Sequence, residues 1–134
     1  MRHGRPPRAW MLTGLIGLMA SPLASAVRVP LVQRTMIVTA YCPCQTCCGP
    51  NAKGITASGQ PVTAHRGQFV AADRSIPFGT RISVPGYAGG RAVPVIDRGG
   101  AITGNKLDVF FPNHQAARAW GRKTLVVKID RSHR

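Results

Sequence analysis

Two aspartates, Asp97 and Asp108, stand eleven positions apart around a glycine-rich bend in VIDRGGAITGNKLDVFF, residues 95–111. They are half of the four acidic residues of the chain, the others being Asp73 and Asp130, against 18 lysines and arginines. Two carboxyls brought close together cannot both ionise cheaply, so one keeps its proton to higher pH. A carboxyl that holds a proton near neutrality is what a general acid requires. Strand alternation places Lys106, Asp108 and Phe110 on one face, and Leu107, Val109 and Phe111 on the other. Aspartate is depleted in strands, so its place in the middle of this one calls for a reason. Lys106, on the same face, suits a carboxylate or hydroxyl of a ligand. Gly99, Gly100 and Gly104 carry no side chain and allow a bulky ligand to approach the backbone. The competing reading is structural: an aspartate at a strand end caps a turn, and the lysine is a solvated surface charge.

A second cluster, CPCQTCC, packs Cys42, Cys44, Cys47 and Cys48 into seven residues. In an exported protein disulfides are the first expectation. Neighbouring Cys47 and Cys48 rarely bond each other. The pairings left open are Cys42–Cys47 with Cys44–Cys48, or Cys42–Cys48 with Cys44–Cys47. C-x-C and C-x2-C spacings also hold zinc, but structural zinc sites usually draw ligands from two separated segments, and only one is evident here. Disulfides are therefore expected, and no metal is assigned. His65 and His114 read as surface histidines, with no HExxH pair to support a zinc peptidase. Ser58 in TASG lacks a GxSxG elbow and reads as part of a turn.

These groups need elements to position them. The first 26 residues read as a secretory signal peptide: a basic leader, a short apolar run and a small-x-small site at Ala24–Ala26. Residues 27–34 read as a linker, residues 35–130 as one small domain and residues 131–134 as a basic tail. The formal net charge is +14 for the chain; without residues 1–26, fifteen basic residues face four acidic ones, a net charge of +11. Such a charge favours an anionic partner. An exported chain, periplasmic or extracellular, meets muramyl carboxylates of a cell wall and, peripherally, an anionic membrane surface. The basic residues are scattered without a run, which argues against a nucleic-acid arm. RTMIVTAYC, GQFVAAD, TRISVPGY, RAVPVID, NKLDVFF and KTLVVKID read as six strands. Pro94 marks the fourth as an edge or a bulge. Thr39 and Tyr41 share one face of the first strand, where they would line a cleft. PNHQAARAWG reads as one short helix capped by Asn113 and stopped by Gly121. Many short strands joined by Gly/Pro turns describe a mainly β barrel or sandwich.

The motifs VTAYCPC, GITASGQ, VAADRSIPFGTRISVPGY, VIDRGGAITGNKLDVFFPNHQAA and WGRKTLVV together resemble the 3D domain, named for three aspartates and found in MltA-type lytic transglycosylases and small secreted cell-wall enzymes. The resemblance runs from about Thr35 to Ile129. It implies a single six-stranded double-psi β-barrel acting as a monomer on peptidoglycan glycan strands, without a cofactor. The implied reaction cleaves the bond between N-acetylmuramic acid and N-acetylglucosamine and forms a 1,6-anhydro product. The three aspartates fall on Asp73, Asp97 and Asp108. The catalytic acid/base role carries to Asp108, with Asp97 tuning or orienting it and Asp73 binding substrate or holding the site. Arg98 stands where the family usually has threonine. The alternative is a barrel of the same kind that grips wall glycan and cuts nothing.

Overall fold

The computed structural model describes residues 30–132. The segment read as a signal peptide lies outside them, as do the last two residues of the tail. Six strands close into a barrel: β1 (Leu31–Tyr41), β2 (Val70–Ala72), β3 (Arg81–Ser83), β4 (Ala92–Asp97), β5 (Lys106–Phe110) and β6 (Lys123–Asp130). Their order around the barrel is β1-β5-β2-β4-β3-β6. The pairs β1–β5 and β2–β4 are parallel and the other four are antiparallel. This is the six-stranded barrel that the motifs imply. All six strands follow the apolar, β-branched segments of the sequence. β1, however, begins at Leu31, and Leu31–Arg34 pair with Asp130–Val127 of β6. Half of the segment read as a linker is thus strand, because β6 continues alongside it and supplies hydrogen-bond partners.

Alternation sorts each strand into two faces. Met36, Val38, Val70, Ala72, Ile82, Val93, Val95, Leu107, Val109, Val127 and Ile129 point inward and form the main core. A closed barrel has no edge, so β4 is paired on both sides despite Pro94, which sits opposite Arg81. The irregularity is on its other side: Val70 faces Val95 but Ala71 faces Asp97, a bulge in β4. Bulge, rather than edge, is the half of the proline expectation that the closed barrel admits.

The outer face of β2, β4 and β5 is covered by the long segment between β1 and β2. There Phe69, Ile96 and Phe110 form a second buried cluster with Tyr41, Val62 and Ala64 packed on it. The Phe69 and Phe110 rings stack with centroids 4.5 Å apart. Inside, the buried Tyr87 hydroxyl donates to the Phe110 carbonyl at 2.7 Å and accepts from the Phe69 amide at 3.2 Å. It therefore ties the start of β2 to the end of β5.

The expected helix is present as α2 (His114–Trp120), with Asn113 Oδ1 accepting from the Ala116 amide at 2.8 Å. A second helical turn, α1 (Gln45–Cys48), lies within the cysteine cluster and was not expected. It lacks a hydrophobic stripe, so no periodicity announced it.

Candidate active site

Asp97 and Asp108 are not on neighbouring strands. β2 lies between β4 and β5, and Ala71 is the cross-strand partner of both aspartates. Thr39 of β1 pairs in turn with Asp108. Thr39, Asp108, Ala71 and Asp97 therefore form one outward-facing row across four strands. Strand spacing puts the two aspartate backbones roughly 10 Å apart. The residue between them, Ala71, carries only a methyl group. A third strand, β2, aligns both aspartates across the sheet.

Asp108 is half-buried, and its Oδ1 accepts from the Thr39 hydroxyl at 3.0 Å. Burial pushes its carboxyl up to about 6, the Thr39 hydrogen bond works against that, and the charge of Asp97 adds to it. With Oδ1 engaged by Thr39, Oδ2 is the oxygen left to carry a proton.

Asp97 has no such freedom. Its Oδ1 accepts from the Ala57 amide at 2.8 Å and from the Arg98 amide at 2.9 Å. Its Oδ2 accepts a short hydrogen bond from the Tyr41 hydroxyl. Burial, and then the bond to Asp97, push the Tyr41 phenol far above its usual range, so it stays a donor. Asp97 thus fastens the 54–60 turn to the barrel and holds a fixed position beside Asp108. The useful part of TASG is the amide of Ala57. Ser58 belongs to the turn, its Oγ 3.0 Å from Thr56 Oγ1.

A cleft of about 280 Å³ opens beside this row, lined by Tyr41, Pro43, Cys48, Lys53, Ile55 and Asp97, among others. Tyr41 is among the residues that line it. Thr39 instead serves Asp108 directly. Lys106 sits on the outward face of β5, opposite Ile37. Gly99 and Gly100 lie elsewhere: they border a separate hollow with Asp73, Arg74, Arg98 and Thr103. A Cβ on Gly99 would meet Ile102 Cγ1 at 2.9 Å, so that glycine serves the turn itself.

Asp73 is also engaged in structure. Its oxygens accept from the Ser75 amide at 2.8 Å and from the Gly104 amide at 3.0 Å. These bonds, those of Ser75 first, hold its carboxyl down to about 2. Gly104 has φ +64°, a left-handed conformation that glycine alone adopts without strain. Arg98 turns away from the cleft, stacks over Phe78 at 4.0 Å and donates to the carbonyls of Ile76 (2.8 Å) and Ala72 (3.2 Å). It braces the Asp73 loop.

The cysteine cluster departs from expectation. All four thiols are free. Cys42 Sγ is 2.9 Å from Cys44 Sγ and 3.3 Å from Cys47 Sγ, well beyond the roughly 2.05 Å of a disulfide. His114, read as a surface histidine, brings Nδ1 to 3.5–3.7 Å from the sulfurs of Cys42, Cys44 and Cys47. The second, separated segment that sequence spacing lacked is the start of α2, some 70 residues away. His65 remains exposed, beside Gln60.

Residues 68–129 match the family model described as the 3D domain. The chain is 40% identical over 97 residues to the "Putative cell wall shaping protein YabE" of Bacillus subtilis (strain 168), covering 71% of this chain and 22% of that protein. It is 38% identical over 97 residues to the "Cell wall-binding protein YocH" of the same organism, covering 71% of this chain and 31% of that protein. The chain thus spans less than a third of either relative. A solved structure, MltA from E. coli, aligns over 56% of this chain and 26% of that one, with 27% identity and a TM-score of 0.42.

Proposed function

We propose, from the premise that residues 68–129 are a 3D domain, that this chain is an exported peptidoglycan lytic transglycosylase with Asp108 as its single general acid/base. The observation that carries the reading is Asp108 itself: half-buried, proton-holding to about pH 6, and set beside a second carboxylate that is fastened in place. The names of the two relatives, cell wall shaping and cell wall binding, support a wall glycan as the ligand.

In the proposed reaction Oδ2 of protonated Asp108 donates to the glycosidic oxygen between N-acetylmuramic acid and N-acetylglucosamine, and that bond breaks. Positive charge develops at the anomeric carbon and gains from the anionic neighbour Asp97. The 6-hydroxyl of the same muramyl residue then closes on that carbon and gives its proton to the Asp108 carboxylate. The proton returns to where it began, and the product is a 1,6-anhydro sugar. An internal nucleophile needs only orientation, an advantage of several kcal/mol over a free water. One titrating carboxyl therefore suffices, unlike the two-carboxylate glycosidase schemes. Thr39 engages Oδ1 and leaves Oδ2 to the proton, while Tyr41 and Lys53 line the cleft where the sugar chain would lie.

The test is digestion of purified peptidoglycan, with the soluble products read by mass spectrometry. Anhydro-muropeptides from the wild type and a loss of at least about a hundredfold in Asp108→Asn are expected. Undiminished product from Asp108→Asn would remove Asp108 from the role. Glycan binding with no product from the wild type would favour the second reading, a non-catalytic wall-binding barrel, to which the name of one relative points.

A further inference from the structure

We propose that Cys42, Cys44, Cys47 and His114 bind a structural zinc ion, and that this ion fastens the wall of the cleft beside Asp97. The four ligand atoms lie within 4.8 Å of one another. His114 Nδ1 is almost equidistant from three sulfurs: 3.7 Å from Cys42, 3.5 Å from Cys44 and 3.6 Å from Cys47. One nitrogen above a triangle of three sulfurs is a tetrahedron of donors. With Zn–S of about 2.3 Å and Zn–N of about 2.05 Å, a regular tetrahedron requires N···S of about 3.6 Å and S···S of about 3.8 Å. The nitrogen distances already match. The Cys42–Cys44 and Cys42–Cys47 separations of 2.9 and 3.3 Å must open by about 0.5–0.9 Å to admit the ion.

The backbone is arranged for this donor set. β1 ends at Tyr41 and delivers Cys42, whose residue is fully buried. The single turn of α1 folds Cys47 back over Cys44, with the Cys47 amide bonded to the Cys44 carbonyl at 3.2 Å. Asn113 caps α2 and so fixes His114 at its first position. Three sulfurs and one imidazole, with no carboxylate, are a zinc donor set and leave no open coordination position. The ion would carry structure rather than chemistry. Each thiol gives up its proton to solvent on binding, and Zn²⁺ with three thiolates leaves one negative charge in a strongly basic chain.

Cys48 is outside the set. Its thiol donates to the Cys42 carbonyl at 3.2 Å, and its side chain lines the cleft with Tyr41 and Asp97. A disulfide framework would need Cys48; a zinc site does not. That difference makes the two separable.

The experiment is metal analysis of the purified full chain, together with native mass spectrometry. One zinc per chain and four free thiols after denaturation are expected. Cys48→Ser is expected to keep that zinc, whereas Cys44→Ser and His114→Ala lose at least half of it. Cobalt substitution of the wild type is expected to give thiolate-to-cobalt charge transfer and tetrahedral d–d bands. Chelation is expected to lower Tm, and added zinc to restore it. The wild-type zinc content and cobalt spectrum decide the matter even if a variant fails to fold. A folded wild type that binds neither metal, with a mass two hydrogens lower for each disulfide formed, overturns the proposal. So does Cys48→Ser losing zinc as completely as Cys44→Ser.

Discussion

At the scale of single residues, the row Thr39–Asp108–Ala71–Asp97 divides labour between two carboxyls of one type. Asp97 is held by three donors, and Asp108 by one. Because the acid must be protonated for the first step, kcat/KM is expected to fall about tenfold per pH unit above pH ~6. Replacing Asp97 with asparagine removes one of the two influences that raise Asp108, so the fall should move to lower pH. A pH–rate profile of the variant checks this; an unmoved profile would mean that Asp97 does not act through Asp108. Stability carries the same signature. A carboxyl raised on folding contributes its stability in full below the ordinary carboxyl pKa and loses it as pH rises through about 6. At pH 7–8 the fold therefore bears an ionised, half-buried carboxylate that asparagine would not. Asp108→Asn should be more stable there by about 1–2 kcal/mol, allowing for solvent screening, while losing activity. Chemical denaturation at pH 5 and pH 8 checks both halves, since the gain should shrink at the lower pH.

At the scale of elements, the six strands were legible because each is a short β-branched run bounded by glycine or proline. Their neighbours were not legible. Parallel pairing of β1 with β5 and insertion of β2 between β4 and β5 depend on closure of the whole barrel, which no local pattern encodes. That is why Asp97 and Asp108 were recognised as a pair while Ala71, which aligns them, was not. Ala71 is 3% exposed. Ala71→Val should overpack the row, costing about 1–3 kcal/mol, and push the carboxyls apart. A lowered Tm together with a weakened pH-8 product yield checks it. The zinc-binding partner of CPCQTCC was hidden for a similar reason: a lone histidine at a helix start carries no signal until the fold carries it to the cysteines. In α2, Asn113→Ala should cost about 1 kcal/mol by loss of the cap, and it should also loosen His114, read as faster zinc release to a chelator.

At the scale of the molecule, the fold sets two of its four acids, Asp97 and Asp108, in one row, and the chain carries a large excess of positive charge. A cationic body suits an anionic wall polymer, and such attraction between exposed charges is screened by salt. Binding of the chain to insoluble peptidoglycan is expected to weaken at least several-fold as ionic strength rises from about 0.05 to 0.5 M. Binding unaffected by salt would assign recognition to the cleft alone. The long segment between β1 and β2 is what turns a small barrel into a site. It covers the outer aromatic cluster, anchors on Asp97 through Ala57, and reaches α2 through the cysteines. The three attachments hold one wall of the cleft.

The most direct test of the central claim is titration of the Asp108 side-chain carboxyl by carbon NMR in the folded wild type, assigned against Asp108→Asn. A midpoint of about 6 is predicted. A midpoint at or below about 4, the range of an ordinary solvated aspartate, would contradict it, because the proton would be gone well before neutral pH.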